Sequence, residues 1–118
     1  MIRTAMLLLA VAMLGCHRLE LTPPIDETLT LIEPPEGEGR VSCSILPGST
    51  QHARLVQWLA DHQSGWSQSP ATYVPGLQVK GSNFEMNVLP KIVIINYSAG
   101  QYVAPVIEGD ELKLSCER

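Results

Sequence analysis

The sequence predicts an α+β fold, one helix packed on a small antiparallel β-meander in the order β-α-β-β-β-β, and three observations carry that expectation. One segment, residues 50–62, has apolar residues at helical spacing. Short apolar runs broken by Gly, Ser, Asn and Pro fill the chain from Tyr73 onward, which is the pattern of antiparallel strands joined by tight turns. Residues 39–118 suffice for one small core, whose stability is marginal without help.

Val41-Ser42-Cys43-Ser44-Ile45 alternates apolar and polar side chains as a half-buried strand does, and Pro47-Gly48 breaks it. Ser49 or Thr50 can then cap a helix in which Leu55, Val56, Leu59 and Ala60 form one stripe. Gly65 is placed to end that helix, with His62 in its last turn. Short strands are expected at Tyr73-Val74, before Pro75-Gly76, and then at Leu77–Lys80, Phe84–Val88, Ile92–Tyr97, Tyr102–Ile107 and Leu112–Cys116. Gly81-Ser82-Asn83, Ser98-Ala99-Gly100 and Glu108-Gly109-Asp110 supply the turns. Ile92-Val93-Ile94-Ile95 is uninterrupted and apolar, so it belongs at the sheet centre, covered on both faces.

Residues 1–15 read as a signal peptide. Arg3 supplies one positive charge, and Ala5 to Leu14 supply an apolar run that spans only about 15 Å as a helix, half of a ~30 Å hydrocarbon core. Gly15 is the small residue before a cut, and Met13 at −3 does not suit ordinary secretory cleavage. Met13-Leu14-Gly15-Cys16 resembles the lipobox of bacterial lipoproteins, with Met13 where leucine is most common. The resemblance covers the first sixteen residues and implies that Cys16 becomes the lipidated first residue of the mature chain. Two or three acyl chains, at about 0.8 kcal/mol per buried methylene, would then hold it on a membrane. His17 stands where many retained inner-membrane lipoproteins carry aspartate, which points to the periplasmic face of the outer membrane.

With Cys16 assigned to lipid, Cys43 and Cys116 remain as an even pair in an oxidising compartment, and a single disulfide follows. A metal site built from these thiols with His52 or His62 has no ligand spacing to recommend it, so neither a metal nor a cofactor is expected.

Residues 16–38 read as a tether. Pro23, Pro24, Pro34 and Pro35 favour extended backbone, and Glu20, Asp26, Glu27, Glu33, Glu36 and Glu38 repel one another against the single Arg18. The apolar patch Leu29-Thr30-Leu31-Ile32 interrupts this composition and has the makings of an added edge strand. The folded domain, residues 39–118, balances Asp61, Glu85, Glu108, Asp110, Glu111 and Glu117 against Arg40, Arg54, Lys80, Lys91, Lys113 and Arg118. The folded domain is thus neutral, the acidity resides in the tether, where six acids face only Arg18, and no basic stripe exists to meet nucleic acid.

Catalytic patterns are missing from the sequence. His52 and His62 lie ten positions apart, about 15 Å along a helix, and both read as solvent-facing or capping residues. Asp61 and its neighbour His62 point to different faces, and no G-x-S-x-G, S-x-x-K or phosphate-cradling glycine loop is present. The chain is therefore read as a binding protein and not an enzyme.

The aromatic residues are few, two Trp, three Tyr and one Phe, yet Trp58, Trp66 and Tyr73 fall close together around an uncharged segment that includes Gln68. Rigid rings with small hydrogen-bonding side chains suit a recognition surface, and Trp58, Trp66, Gln68 and Tyr73 are the candidate protein-binding residues. Trp66 can equally fold back on the helix end and fill the core. The function expected is a lipid-anchored envelope protein that binds another protein, as an inhibitor or immunity factor or as an accessory subunit. A carrier of small ligands or wall fragments, with a pocket lined by Trp58, Tyr73, Phe84 and Tyr97, is the alternative. Replacing Cys16 with Ser is expected to move the protein from the membrane fraction to the soluble fraction, read by fractionation and immunoblotting; retention in the membrane would overturn lipidation.

Overall fold

The computed structural model describes residues 27–36, 39–97 and 100–116. The signal peptide, Cys16 and the tether as far as Asp26 lie outside the described residues. Seven strands form one antiparallel sheet: β1 (Leu29–Ile32), β2 (Ser42–Ile45), β3 (Ser67–Gln68), β4 (Leu77–Lys80), β5 (Phe84–Val88), β6 (Ile92–Tyr97) and β7 (Gly100–Pro105). The single helix among the described residues, α1 (Thr50–Asp61), packs on one face. The expected pairing of one helix with an antiparallel sheet holds, with more strands than the sequence suggested and in a different arrangement.

The strand order is β2-β1-β4-β5-β6-β7-β3, and only β4 to β7 form a consecutive meander. The principal correction concerns β1. Leu29-Thr30-Leu31-Ile32, set by the sequence within the tether with an added edge strand as the alternative, joins the sheet as an inner strand between β2 and β4, with Leu29 opposite Ile45 and Leu31 opposite both Cys43 and Val79. Leu29 and Leu31 are fully buried. Just before the strand, the Glu27 carboxylate accepts from the backbone N–H of Ser82 at 2.6 Å and from its hydroxyl at 3.1 Å. The folded unit therefore begins no later than Glu27, and a tether drawn through Glu38 is too long.

Alternation sorts the meander as expected. Val79, Met86, Ile95 and Tyr102 meet in register on the helix-facing side, as do Leu77, Val88, Val93 and Ala104. Leu55 and Leu59 of α1 press on this layer, and the Ser49 side chain caps the helix by accepting from the His52 N–H. The helix ends at His62, whose N–H donates to Leu59 O, before reaching Gly65. His52 is also corrected: it is 5% exposed beneath the helix and not turned to solvent.

The last expected strand belongs to no ladder. Leu112, Leu114 and Cys116 alternate inward along an extended segment beside α1, where the Gln51 amide pairs with both backbone groups of Ser115, at 2.7 and 2.9 Å. Cys116 then closes the expected disulfide with Cys43 of β2, Cα to Cα 5.7 Å, across a sequence separation of 73. A loop of that size lowers the entropy of the unfolded chain by about 4 kcal/mol at room temperature in the chain-entropy account. The bridge fastens the C-terminal segment under the β1–β2 side of the sheet.

Because β1 joins β2 to β4, a chain starting at residue 39 loses the strand that connects them, along with two fully buried leucines worth about 2–5 kcal/mol each. Residues 27–118 are expected to melt cooperatively by circular dichroism, and residues 39–118 to show no cooperative transition. An equal melting midpoint for the two would show β1 to be dispensable.

Candidate functional site

The four candidate binding residues do not form one surface. Trp66 is 0% exposed in the helix-side core, with its indole N–H donating to His62 O at 2.6 Å, so the core-filling alternative accounts for it. Trp58 is half-buried on the same side, stacked on the His62 ring at 3.9 Å between centroids and 12° between planes. Gln68 lies in β3 at the sheet edge, opposite Tyr102 of β7, and Tyr73 belongs to the segment that crosses the opposite face. Phe84 and Tyr97 pair on the helix side of the sheet, away from Tyr73, so the pocket imagined from Trp58, Tyr73, Phe84 and Tyr97 is not assembled.

His62 is the centre of the Trp58 cluster. Its Nδ1 lies 2.6 Å from Trp58 O and its Nε2 lies 2.6 Å from the Asp110 carboxylate, while the Trp58 indole donates to Asp110 O at 3.1 Å. Of the two readings of His62, solvent-facing or capping, the second holds: it is the C-cap of α1, half-buried, and joins the helix end to the Ile107–Asp110 turn. With both ring nitrogens engaged inside the protein, the cluster clamps the helix end to this turn. An open groove of about 510 Å³ runs beside it, lined by Arg54, Gln57, Trp58, Asp61, Glu111, Leu112 and Lys113, with both charge signs present. The backbone N–H groups of Glu111 itself and of Gly109 hold the Glu111 carboxylate below the usual range. Among the described residues no group of three His, Cys, Asp or Glu side chains could hold a metal ion. No helix of the described residues is long and apolar enough to cross a membrane.

The other face carries the more distinctive construction. β3 lies at the sheet edge beside β7, and the chain must next reach β4, on the far side of β7, β6 and β5. Residues 69–76 make this crossing as a strap. At the β7 end Ser69 N–H donates to Gln101 O at 3.0 Å, and the Gln101 amide donates to Ser69 O at 2.8 Å and Ala71 O at 2.7 Å. Within the strap the Ser69 and Tyr73 hydroxyls bond at 2.6 Å. At the β4 end Asn87 donates to Val74 O at 2.9 Å and accepts from Gly76 N–H at 2.7 Å, and Arg40 reaches Gly76 O at 2.7 Å. Only glycine fits at 76, because a Cβ there would collide with the Val88 carbonyl oxygen and the Leu89 side chain.

The strap covers Ile94, which faces away from the helix layer and is nevertheless 2% exposed. Its own outer surface is uncharged from Gln68 to Gly76. Gln68, Ser69, Pro70, Ala71, Thr72 and Gln101 line an open depression of about 660 Å³, and Val74 stands 71% exposed near the other end. Sequence reading found the segment through its composition but missed the residues that hold it, Asn87, Gln101 and Arg40. Asn87 falls on the polar register of the alternating strand Phe84–Val88, as Glu85 does, so its position in the sequence does not mark it.

Removing the Asn87 amide leaves a buried N–H and a carbonyl without their partner, a loss of about 1–3 kcal/mol. Asn87→Ala is expected to lower the melting temperature by roughly 5–15 °C and to speed hydrogen exchange at Gly76. An unchanged melt would mean that Asn87 does not hold the strap. Compared with protein-family models, curated proteins and solved structures, the chain matches none.

Proposed function

We propose that this chain is a lipid-anchored protein of the cell envelope, on the periplasmic face of the outer membrane, that binds another envelope protein through the strap at residues 69–76. Its role would be that of an inhibitor or immunity factor, or of an accessory subunit. The observation that carries this reading is the strap itself, an uncharged loop fixed at both ends by side-chain hydrogen bonds, with Thr72 and Val74 displayed outward. A loop already held in one conformation loses little entropy on binding, and a bare valine offers apolar area without its own cover. The composition agrees: Gln68, Ser69 and Thr72 supply adaptable hydrogen-bonding groups around a fixed frame. The anchor at Cys16 and the charge-balanced domain fit a protein whose task is to hold and not to convert.

The test places a photo-crosslinking residue at Thr72 of the anchored chain in intact cells. One dominant adduct is expected, and Val74→Asp is expected to reduce it at least tenfold while leaving the melting temperature unchanged, since exposed substitutions change stability little. Absence of an adduct, or one indifferent to Val74→Asp, would overturn the strap as the binding surface.

A further inference from the structure

We infer that β2 is a pairing edge for a second copy of this chain, joining two sheets antiparallel about a two-fold axis at Cys43. The hydrogen-bond parity of the ladder leads to this arrangement. Glu33 N–H donates to Val41 O at 2.8 Å, and Glu33 with Val41 continues the β1–β2 register of Leu31 with Cys43 and Leu29 with Ile45. Hydrogen-bonded pairs alternate along an antiparallel ladder, so Val41, Cys43 and Ile45 direct their backbone groups to β1. Ser42 and Ser44 direct theirs the other way, to the end of the sheet, where no further strand stands among the described residues. Both serines are exposed.

Sheets whose edges must stay single guard them with lysine, proline, bulges or a covering loop. β2 has no lysine or proline from Val41 to Leu46 and no bulge in its register, and its flanks expose Val41 at 37% and Leu46 at 59%. The neighbouring charge, Arg40, is turned towards β4 by its bonds to Glu33 O, Gln78 Oε1 and Gly76 O. Leu46 O is already taken by Ser49 N–H, which ends the free stretch. Two complete donor–acceptor sets remain, at Ser42 and Ser44. A two-fold axis at Cys43 sets Ser42 of one copy against Ser44 of the other, twice, so every one of these groups is paired. The same register places Val41 against Ile45 across the seam on the helix side and extends the apolar layer. An edge that lacks charge offers little to a charged partner, whereas its own copy satisfies it without remainder.

The experiment is hydrogen exchange on the full chain, purified in mild detergent, across a range of protein concentrations. In a single copy the Ser42 and Ser44 amides face solvent, while those of Cys43 and Ile45 are protected by β1. Exchange at Ser42 and Ser44 is expected to slow roughly tenfold or more as concentration rises, together with a doubling of mass in light scattering. Ser44→Pro removes only the outward donor and leaves the β1 ladder intact, so it should abolish both effects; Ser42→Lys should do the same by adding charge to the edge. Fast exchange at every concentration would overturn the inference, as would a dimer formed without protection of these two amides. Protection appearing only on addition of envelope extract would assign the edge to a different protein and overturn it equally.

Discussion

Ile94 sets the problem that much of this structure solves. It lies on β6, between β5 and β7, and its side chain leaves the sheet on the side away from α1. A buried aliphatic side chain contributes about 1.5–3 kcal/mol relative to an exposed one, so a small domain has much to gain from covering that second face. Among the described residues the segment that crosses this face is the connection from β3 to β4, which has eight residues, 69–76, for a width of four strand spacings, roughly 19 Å. Such a span leaves no room for a helix, and the strap's backbone polar groups cannot pair with a sheet they lie across. Side chains rising from the sheet, Asn87 and Gln101, take their place, helped by Arg40 from the β1–β2 connection. The residues that hold the candidate surface are thus consequences of burying one isoleucine.

Local patterns made the meander legible. Alternation in β4, β5 and β7, the continuous run in β6 and the glycines between them all refer to neighbours within a few residues. β1 was less legible because its pairing is distant and its composition misleads. Four apolar or β-branched residues are set among prolines and acids, and only the β2 and β4 partners, supplied later in the chain, turn them into an inner strand. Leu112–Cys116 misleads in the opposite sense: period-two alternation is present, but a disulfide and the Gln51 side chain hold it where a ladder would.

The candidate site was legible in composition and not in geometry. Trp58 and Trp66 are close to Tyr73 in sequence, yet Trp66 is buried in the core while half-buried Trp58 stacks on His62, and each indole N–H finds a backbone carbonyl. In a domain with a single phenylalanine, the large rings are needed to fill space. The strap's fixed shape depends on Asn87 and Gln101, whose amides could as well have faced water on any strand. Nothing in a one-dimensional pattern tells which polar side chain will be asked to replace a missing ladder.

The register also orders the molecule from end to end. Phe84 with Tyr97 and Tyr97 with Gly100 mark one end of the sheet, and Leu77 with Val88 and Ile92 with Pro105 mark the other. Glu27 is bound to Ser82 at the first end, so the polypeptide enters the fold there. The strap begins near that end, at Ser69 against Gln101, and climbs to Gly76 against Asn87 and Val88 at the second. On the anchored reading, the ten residues between Cys16 and Glu27 reach no more than roughly 35 Å from the lipid. The entry end would then sit towards the membrane, and the exposed Val74 would be raised above it by the length of the sheet. On that same reading, a strap that ends at the far side of the domain would present Val74 to the periplasmic space and not to the bilayer plane.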